Sequence, residues 1–203
     1  MPSVPCTLAF GLLLAAPLTA QQEGHAWSLS LSLARDVFAG ASADTLTIPG
    51  VSVEVSPSPR LVFEAGLARR SGLWRLELSA GYAAGPLRAK SDDFLLDDRR
   101  GDVKRYRGAL TLRRRLATLG AGELALSAGP TLDHWDSPGI GSRTVAGGRG
   151  GVVLAFSLGG VVWENRVTYA VSGSPFQKRD LPQGATVSAL RTVGVGVVLR
   201  FGL

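Results

Sequence analysis

Residues 193–203 read VGVGVVLRFGL, and this stretch decides the fold of the chain. Apolar side chains stand at every odd position from Val193 to Leu203, whereas the even positions carry mostly glycine, together with Arg200. A period of two is the repeat of a β-strand, in which successive side chains point to opposite faces of the sheet. The stretch therefore predicts a strand with one continuous apolar face.

Seven further segments show the same alternation. They begin at Trp27, Leu61, Trp74, Tyr106, Leu124, Val152 and Val161. None of them shows a 3.6-residue period over a helix length, and glycine, which is costly inside helices, occurs throughout the chain. The chain is 45% hydrophobic, which argues against disorder, yet it contains no apolar run of the length that a membrane-spanning helix needs. We therefore predict an all-β fold with eight strands.

The connections between these segments alternate in length. Short links fall near residues 70–72, 117–121 and 159–160, and long links at about 38–60, 85–102, 134–146 and 173–185. Short turns at one end and long loops at the other are typical of outer-membrane barrels, whose turns face the periplasm. We predict an eight-stranded antiparallel up-and-down transmembrane barrel over residues 21–203, with both termini periplasmic. A separate hairpin over residues 46–56 would raise the number of strands to ten.

The last strand also resembles the C-terminal strand of bacterial outer-membrane proteins, which their assembly machinery recognises. The residues that carry this resemblance are Val197, Leu199, Phe201 and Leu203. That family usually ends in Phe, whereas this chain has Phe201 two residues before a final Leu. Over residues 26–203 the pattern resembles the small eight-stranded barrels of the OmpA/OmpX type. The resemblance implies a monomer in the bacterial outer membrane, with membrane lipid and the assembly machinery as its partners.

Residues 1–20 have the features of a cleaved secretory signal peptide. An apolar run over residues 8–16 is followed by Pro17 and then by Thr19-Ala20, after which we expect cleavage. The alternative is a buried N-terminal helix, which Pro17 disfavours. Cys6 is the one cysteine, so the mature chain would carry no thiol, which suits an oxidising compartment.

Aromatic residues fall near both ends of the predicted strands. Amphipathic rings favour the two interfaces between membrane and water, where they form belts around a barrel. We predict one belt from Trp27, Trp74, Trp163 and Phe201. We predict the opposite belt from Tyr82, Tyr106, Trp135 and Tyr169, with Phe38 nearby.

The face opposite the apolar one carries charged residues. An eight-stranded barrel is only wide enough for its own side chains, and charges buried there must be paired. Arginine forks suit carboxylates because they bond in bidentate fashion. We predict an Arg/Glu network that closes the lumen, formed by Glu64, Arg75, Glu77, Arg113, Arg115, Glu123, Glu164, Arg166 and Arg200. Arg105 and Arg107 share this face, but they could also lie above the membrane at a strand end.

Three motifs could carry chemistry, and each has a simpler interpretation. Residues 133–137 (DHWDS) contain an acid, a histidine and a serine, but His134 and Ser137 are three apart and fall on opposite faces. The acidic residues between 90 and 102 are interleaved with arginine, as in a solvated loop. The glycines of residues 147–151 (GGRGG) precede no helix, so we interpret them as a flexible strand start. We therefore predict no catalytic residue, cofactor or metal.

Three functions remain open at this stage. The first is a structural, adhesion or envelope-integrity role for a filled barrel. The alternative is a narrow, weakly anion-selective channel for small solutes, because arginine exceeds glutamate on the inner face. The third is a lipid A-modifying enzyme at the barrel rim. The net charge of +6 fits attraction to lipopolysaccharide phosphates; without a basic-aromatic module, we expect no nucleic-acid partner.

Overall fold

The computed structural model describes residues 26–39, 54–90, 95–137, 141–177 and 187–203. Within these ranges there are nine strands: β1 (Trp27–Ala39), β2 (Glu54–Pro57), β3 (Arg60–Ser71), β4 (Trp74–Lys90), β5 (Leu95–Leu119), β6 (Gly122–Ser137), β7 (Gly141–Leu158), β8 (Val161–Ser172) and β9 (Leu190–Gly202). The described part of the chain contains no helix that is long and apolar enough to cross a membrane. The predicted signal peptide lies outside the described residues.

Eight of these strands form a closed antiparallel ring. Strands β3 to β8 each pair with the next strand in the chain, β1 pairs with β3, and β9 returns to β1 over a register from Ser28↔Gly202 to Ala39↔Arg191. Closure satisfies the backbone groups that would otherwise remain unpaired at two sheet edges. The predicted all-β, eight-stranded, up-and-down barrel is confirmed.

The ring has two different ends. At one end, which we call the turn end, two-residue turns join β3 to β4, β5 to β6, and β7 to β8. Gly72, Gly120 and Gly159 in these turns have φ near +60°, a conformation that is costly for other residues. Trp27 and Gly202 lie at the same end because β1 begins there and β9 ends there. The opposite end is called the loop end.

The strands extend further toward the loop end than the sequence indicated. The predicted loop 85–102 is largely strand, because β4 continues to Lys90 and β5 begins at Leu95, with a bulge between Gly85 and Leu87. Polar residues there interrupt the apolar alternation, although backbone pairing needs no particular side chain. Strand β2 is an additional short strand that pairs with the end of β4. Residues 46–53 of the suggested extra hairpin lie outside the described residues.

Side chains alternate between an apolar outer wall and a polar interior. The outer wall carries large, solvent-accessible aliphatic residues on every ring strand, among them Leu29, Leu31, Leu33, Leu61, Leu67, Leu76, Leu78, Leu110, Leu112, Leu126, Leu132, Val152, Val167, Val195 and Leu199. Water-soluble monomers rarely expose continuous apolar surface of this extent, whereas membrane barrels present such a band to lipid. The buried charged residues, such as Glu77, Arg113 and Glu164, point into the interior instead.

Candidate functional site: the charged interior

Glu164 on β8 lies at the centre of the charged groups in the turn-end half of the barrel. Its carboxylate is completely buried (0% exposed). Oε1 accepts hydrogen bonds from Arg113 Nη1 at 2.6 Å, Arg200 Nε at 3.0 Å and Arg75 Nη1 at 3.3 Å. Oε2 accepts two from Arg166, from Nη2 at 2.8 Å and Nε at 3.1 Å, and a longer one from Arg200 Nη2 at 3.5 Å. Three of these arginines come from other strands, β5, β9 and β4, so one carboxylate connects four strands through the interior.

Glu77 on β4 completes this layer from the opposite wall. Arg166 donates two parallel hydrogen bonds to it, each of 3.0 Å, and Arg200 Nη2 donates a third of 2.5 Å. The paired forks are the strong bidentate geometry of arginine with a carboxylate. Strands β4 and β8 lie four strands apart in the ring of eight, so the Arg166–Glu77 pair spans the lumen.

A second bridge crosses the lumen between Glu64 on β3 and Arg149 on β7. Arg149 Nη1 lies 3.2 and 3.1 Å from the two carboxylate oxygens of Glu64. Its other nitrogens donate to the hydroxyls of Thr111 and Ser79 at 3.1 and 3.0 Å. Strands β3 and β7 are again diametrically opposite. Residues 147–151 thus lie inside β7, and their interpretation as a flexible strand start is wrong.

The loop-end half contains two further buried pairs. Arg107 donates to Asp133 through Nε at 2.6 Å and Nη2 at 2.9 Å. Arg105 donates to Asp36. Both arginines point inward. Sequence reasoning missed Asp36 and Asp133, as it missed Arg149, although the parity of each strand identifies all three as inward residues.

Trp135 lies inside the barrel, so its assignment to an aromatic belt is wrong. The side chain is 2% exposed and packs edge-on against Phe38, with 6.3 Å between ring centroids. The guanidinium carbons of Arg60 and Arg105 lie 5.9 and 5.5 Å from its ring centroid, within reach of cation–π attraction. Side chains two residues apart on a strand point to the same face, so Trp135 points inward together with Asp133 on β6. We call the buried group at this end the aromatic plug: Phe38, Leu87, Val103, Trp135, Val145 and Leu190.

Phe38, predicted near the same belt, also lies inside the barrel, so that prediction is wrong as well, whereas the other predicted belt residues lie on the outer wall. Trp27, Trp74, Trp163 and Phe201 are near the turn end, and Tyr82, Tyr106 and Tyr169 lie further toward the loop end. Arg69 and Arg114 lie over the rings of Trp27 and Trp74, at 5.6 and 5.3 Å. The proposed assembly residues Val197, Leu199, Phe201 and Leu203 occupy the outward positions of β9 and its end.

The remaining candidate residues do not assemble into a catalytic site. Asp133 is held by Arg107, His134 is exposed on the outer wall and bonds Thr144 at 2.9 Å, and Ser137 is buried. In the described part of the chain, no three histidine, cysteine or acidic residues group together as metal ligands. Side chains 91–101 of the acidic segment lie outside the described residues.

The position of Trp135 predicts a difference in contact with lipid. A variant that keeps Trp135 alone, with the other three tryptophans changed to phenylalanine, should resist quenching by phospholipids brominated on their acyl chains. The matched Trp135→Phe variant, which keeps the three outer tryptophans, should be strongly quenched in the same vesicles. Tryptophan fluorescence measures both, and equal quenching would contradict the placement of Trp135 inside the barrel.

Comparison with known proteins supports the same architecture. No family model matches the sequence, and neither does any curated protein. Among solved structures, the chain is similar to Neisserial surface protein A, with 12% identity, a TM-score of 0.55, and coverage of 88% of this chain and 97% of that one. It is also similar to OprG of Pseudomonas aeruginosa (14% identity, TM-score 0.49, 87% and 96% covered) and to Ail of Yersinia pestis (14%, 0.42, 86% and 98%). The likeness to Neisserial surface protein A shows that the chain has the fold of a small outer-membrane β-barrel, as its sequence predicted.

Proposed function

We propose that this chain is an integral protein of the bacterial outer membrane with a structural, adhesion or envelope-integrity role, and that its lumen is closed. The observation that carries the proposal is the crossing of the lumen by ion pairs. Glu77–Arg166 and Glu64–Arg149 each join opposite walls, so side chains occupy the axis at two levels. The aromatic plug lies beyond them toward the loop end. A barrel filled in this way offers its outer surface and loops for function.

The proposed orientation of the barrel in the membrane rests on the different lengths of the connections at its two ends. Short turns and the strand termini at one end support a periplasmic turn end, with the longer connections outside the cell. Strand β9 closes the ring against β1. Its alternating apolar residues fit the C-terminal signal that the outer-membrane assembly machinery recognises. Exposed Arg35 and Arg191 lie near the loop end of their strands, and exposed Lys104 pairs with Asp136 near the loop end of β6. These residues supply positive charge for lipopolysaccharide phosphates. We expect the protein to be a monomer.

Conductance across a planar lipid bilayer tests the closed lumen. The reconstituted protein should give no steady single-channel current under conditions in which a conducting porin does, because paired side chains leave no continuous water path. Steady currents would overturn the closed lumen. If those currents favoured anions, they would support the narrow-channel alternative, since arginine outnumbers carboxylate in the interior. The enzymatic alternative has no support from the geometry around His134.

A further inference from the structure

The structure contains a cavity of about 190 Å³ that opens at the turn end of the barrel. Its wall carries five arginines, Arg70, Arg75, Arg113, Arg115 and Arg200, against Glu123 as the one carboxylate among its lining residues. We propose that this cavity binds a small, freely diffusing oxyanion of the phosphate class. This inference is independent of the closed lumen, because the cavity lies on the turn-end side of the Glu164 layer.

The charge of the described interior is unevenly distributed. In the loop-end half, Arg60, Arg105, Arg107, Arg143 and Arg149 face Asp36, Glu64 and Asp133, so cations exceed carboxylates by two. In the turn-end half, Arg70, Arg75, Arg113, Arg115, Arg166 and Arg200 face Glu77, Glu123 and Glu164, so the excess is three. Arginine does not lose its proton in proteins, and uncompensated buried charge is costly. The excess next to the cavity therefore favours an anion inside it.

Several arginines at the cavity carry positive charge that the protein's own groups compensate only in part. Arg75 Nε and Arg113 Nε are buried and have no hydrogen-bond partner. Among the described residues, Arg70 meets no carboxylate, and its Nε donates at 3.3 Å to the carbonyl of Gly72. Arg115 reaches Glu123 only at 4.0 Å. By contrast, both oxygens of Glu164 and of Glu77 already accept hydrogen bonds from arginine. Neither carboxylate can therefore pair with the remaining arginine groups, and much of the surrounding positive charge stays uncompensated.

The shape of the site indicates which anion fits. A volume of about 190 Å³ is ample for one tetrahedral oxyanion. Planar guanidinium forks match the paired oxygens of such an ion better than they match a halide. The strands surround the cavity and it opens near Gly120 and Gly122, so the ligand enters along the barrel axis. A bilayer lipid headgroup, which lies outside the wall, is therefore the disfavoured source of phosphate.

Isothermal titration calorimetry of the detergent-folded full barrel with inorganic phosphate tests the proposal. We expect saturable binding of one phosphate per barrel, little affected by a tenfold excess of chloride. The variants Arg70→Gln and Arg115→Gln should each weaken binding about tenfold or more, because each removes one charge-assisted hydrogen bond. Both side chains lie at the cavity mouth, outside the Glu164 layer, so both variants should still fold and shift on an unboiled gel.

The chain provides matched controls in the neighbouring positions. Arg69→Gln and Arg114→Gln remove the same charge from the outer wall, one residue away, and should leave phosphate affinity unchanged. Absence of saturable binding, or equal weakening by inward and outward variants, would overturn the site. Displacement of phosphate by a short-chain phosphatidylglycerol at equal concentration would assign the site to a lipid headgroup and overturn the choice of a free anion.

Discussion

Replacing Glu164 by glutamine should lower the free energy of unfolding by about 3–5 kcal/mol, the cost of leaving buried charges without a partner. Glutamine keeps the shape of the side chain but removes the negative charge that Arg75, Arg113, Arg166 and Arg200 share. None of these arginines can become neutral, so their mutual repulsion remains in the folded interior. Denaturant titration of the barrel in lipid vesicles, followed by the unboiled gel band, measures the loss.

Glu123→Gln is the matched control for this substitution. Glu123 belongs to the same network, bonding Arg113 at 3.1 Å, but its side chain is 22% exposed at the cavity mouth. Arg113 keeps its bond to Glu164, and the side chain of Arg115 is 29% exposed to water, so we expect a loss of about 1 kcal/mol or less. If both glutamine variants unfold at the same denaturant concentration as the unchanged protein, the ion pairs do not hold the interior together.

Leu78→Arg should destabilise the barrel in a bilayer by about 2–4 kcal/mol, the cost of arginine on the lipid face at the bilayer midplane. Leu78 points outward, is 64% exposed, and lies on β4 midway between the outer-wall aromatic residues Trp74 and Tyr82. Unfolding in vesicles of defined lipid composition, compared with the unchanged protein, measures the effect.

Leu119→Arg is the control for depth in the membrane. Leu119 also points outward, at 57% exposure, but it ends β5 next to the turn. Arginine near the interface costs only about 0–1 kcal/mol. Equal losses at both positions would mean that the outer wall does not lie across a bilayer in the proposed way.

The barrel could be predicted from the sequence because the pattern that specifies it lies within each strand and each turn. A membrane barrel needs apolar residues at alternate positions on every strand, and turns short enough to keep neighbouring strands antiparallel. The β9 segment shows that alternation from Val193 onward, and Gly72, Gly120 and Gly159 mark the three tight turns. The same parity identifies the inward residues, including Asp133 and Trp135. The belt assignment of Trp135 failed because it used the distance to the strand end and not the face.

The partners of the interior groups could not be predicted in this way. Whether Arg149 meets Glu64 or another acid depends on how far each strand is displaced against the next around the ring. That displacement includes the bulges between Gly85 and Leu87 and between Arg115 and Ala117, which no local pattern revealed. Strand β2 and the turn-end cavity depend on the same long-range geometry. They became visible only in three dimensions.

Heat-modifiability on a gel tests the central claim, a closed barrel with a lipid-facing wall, most directly. The mature protein, folded in detergent, should migrate as a compact band when unboiled and as a slower or faster band after boiling, with a β-type circular dichroism spectrum before heating. A protein that folds as a soluble monomer without detergent, and whose band does not move on boiling, would contradict the account.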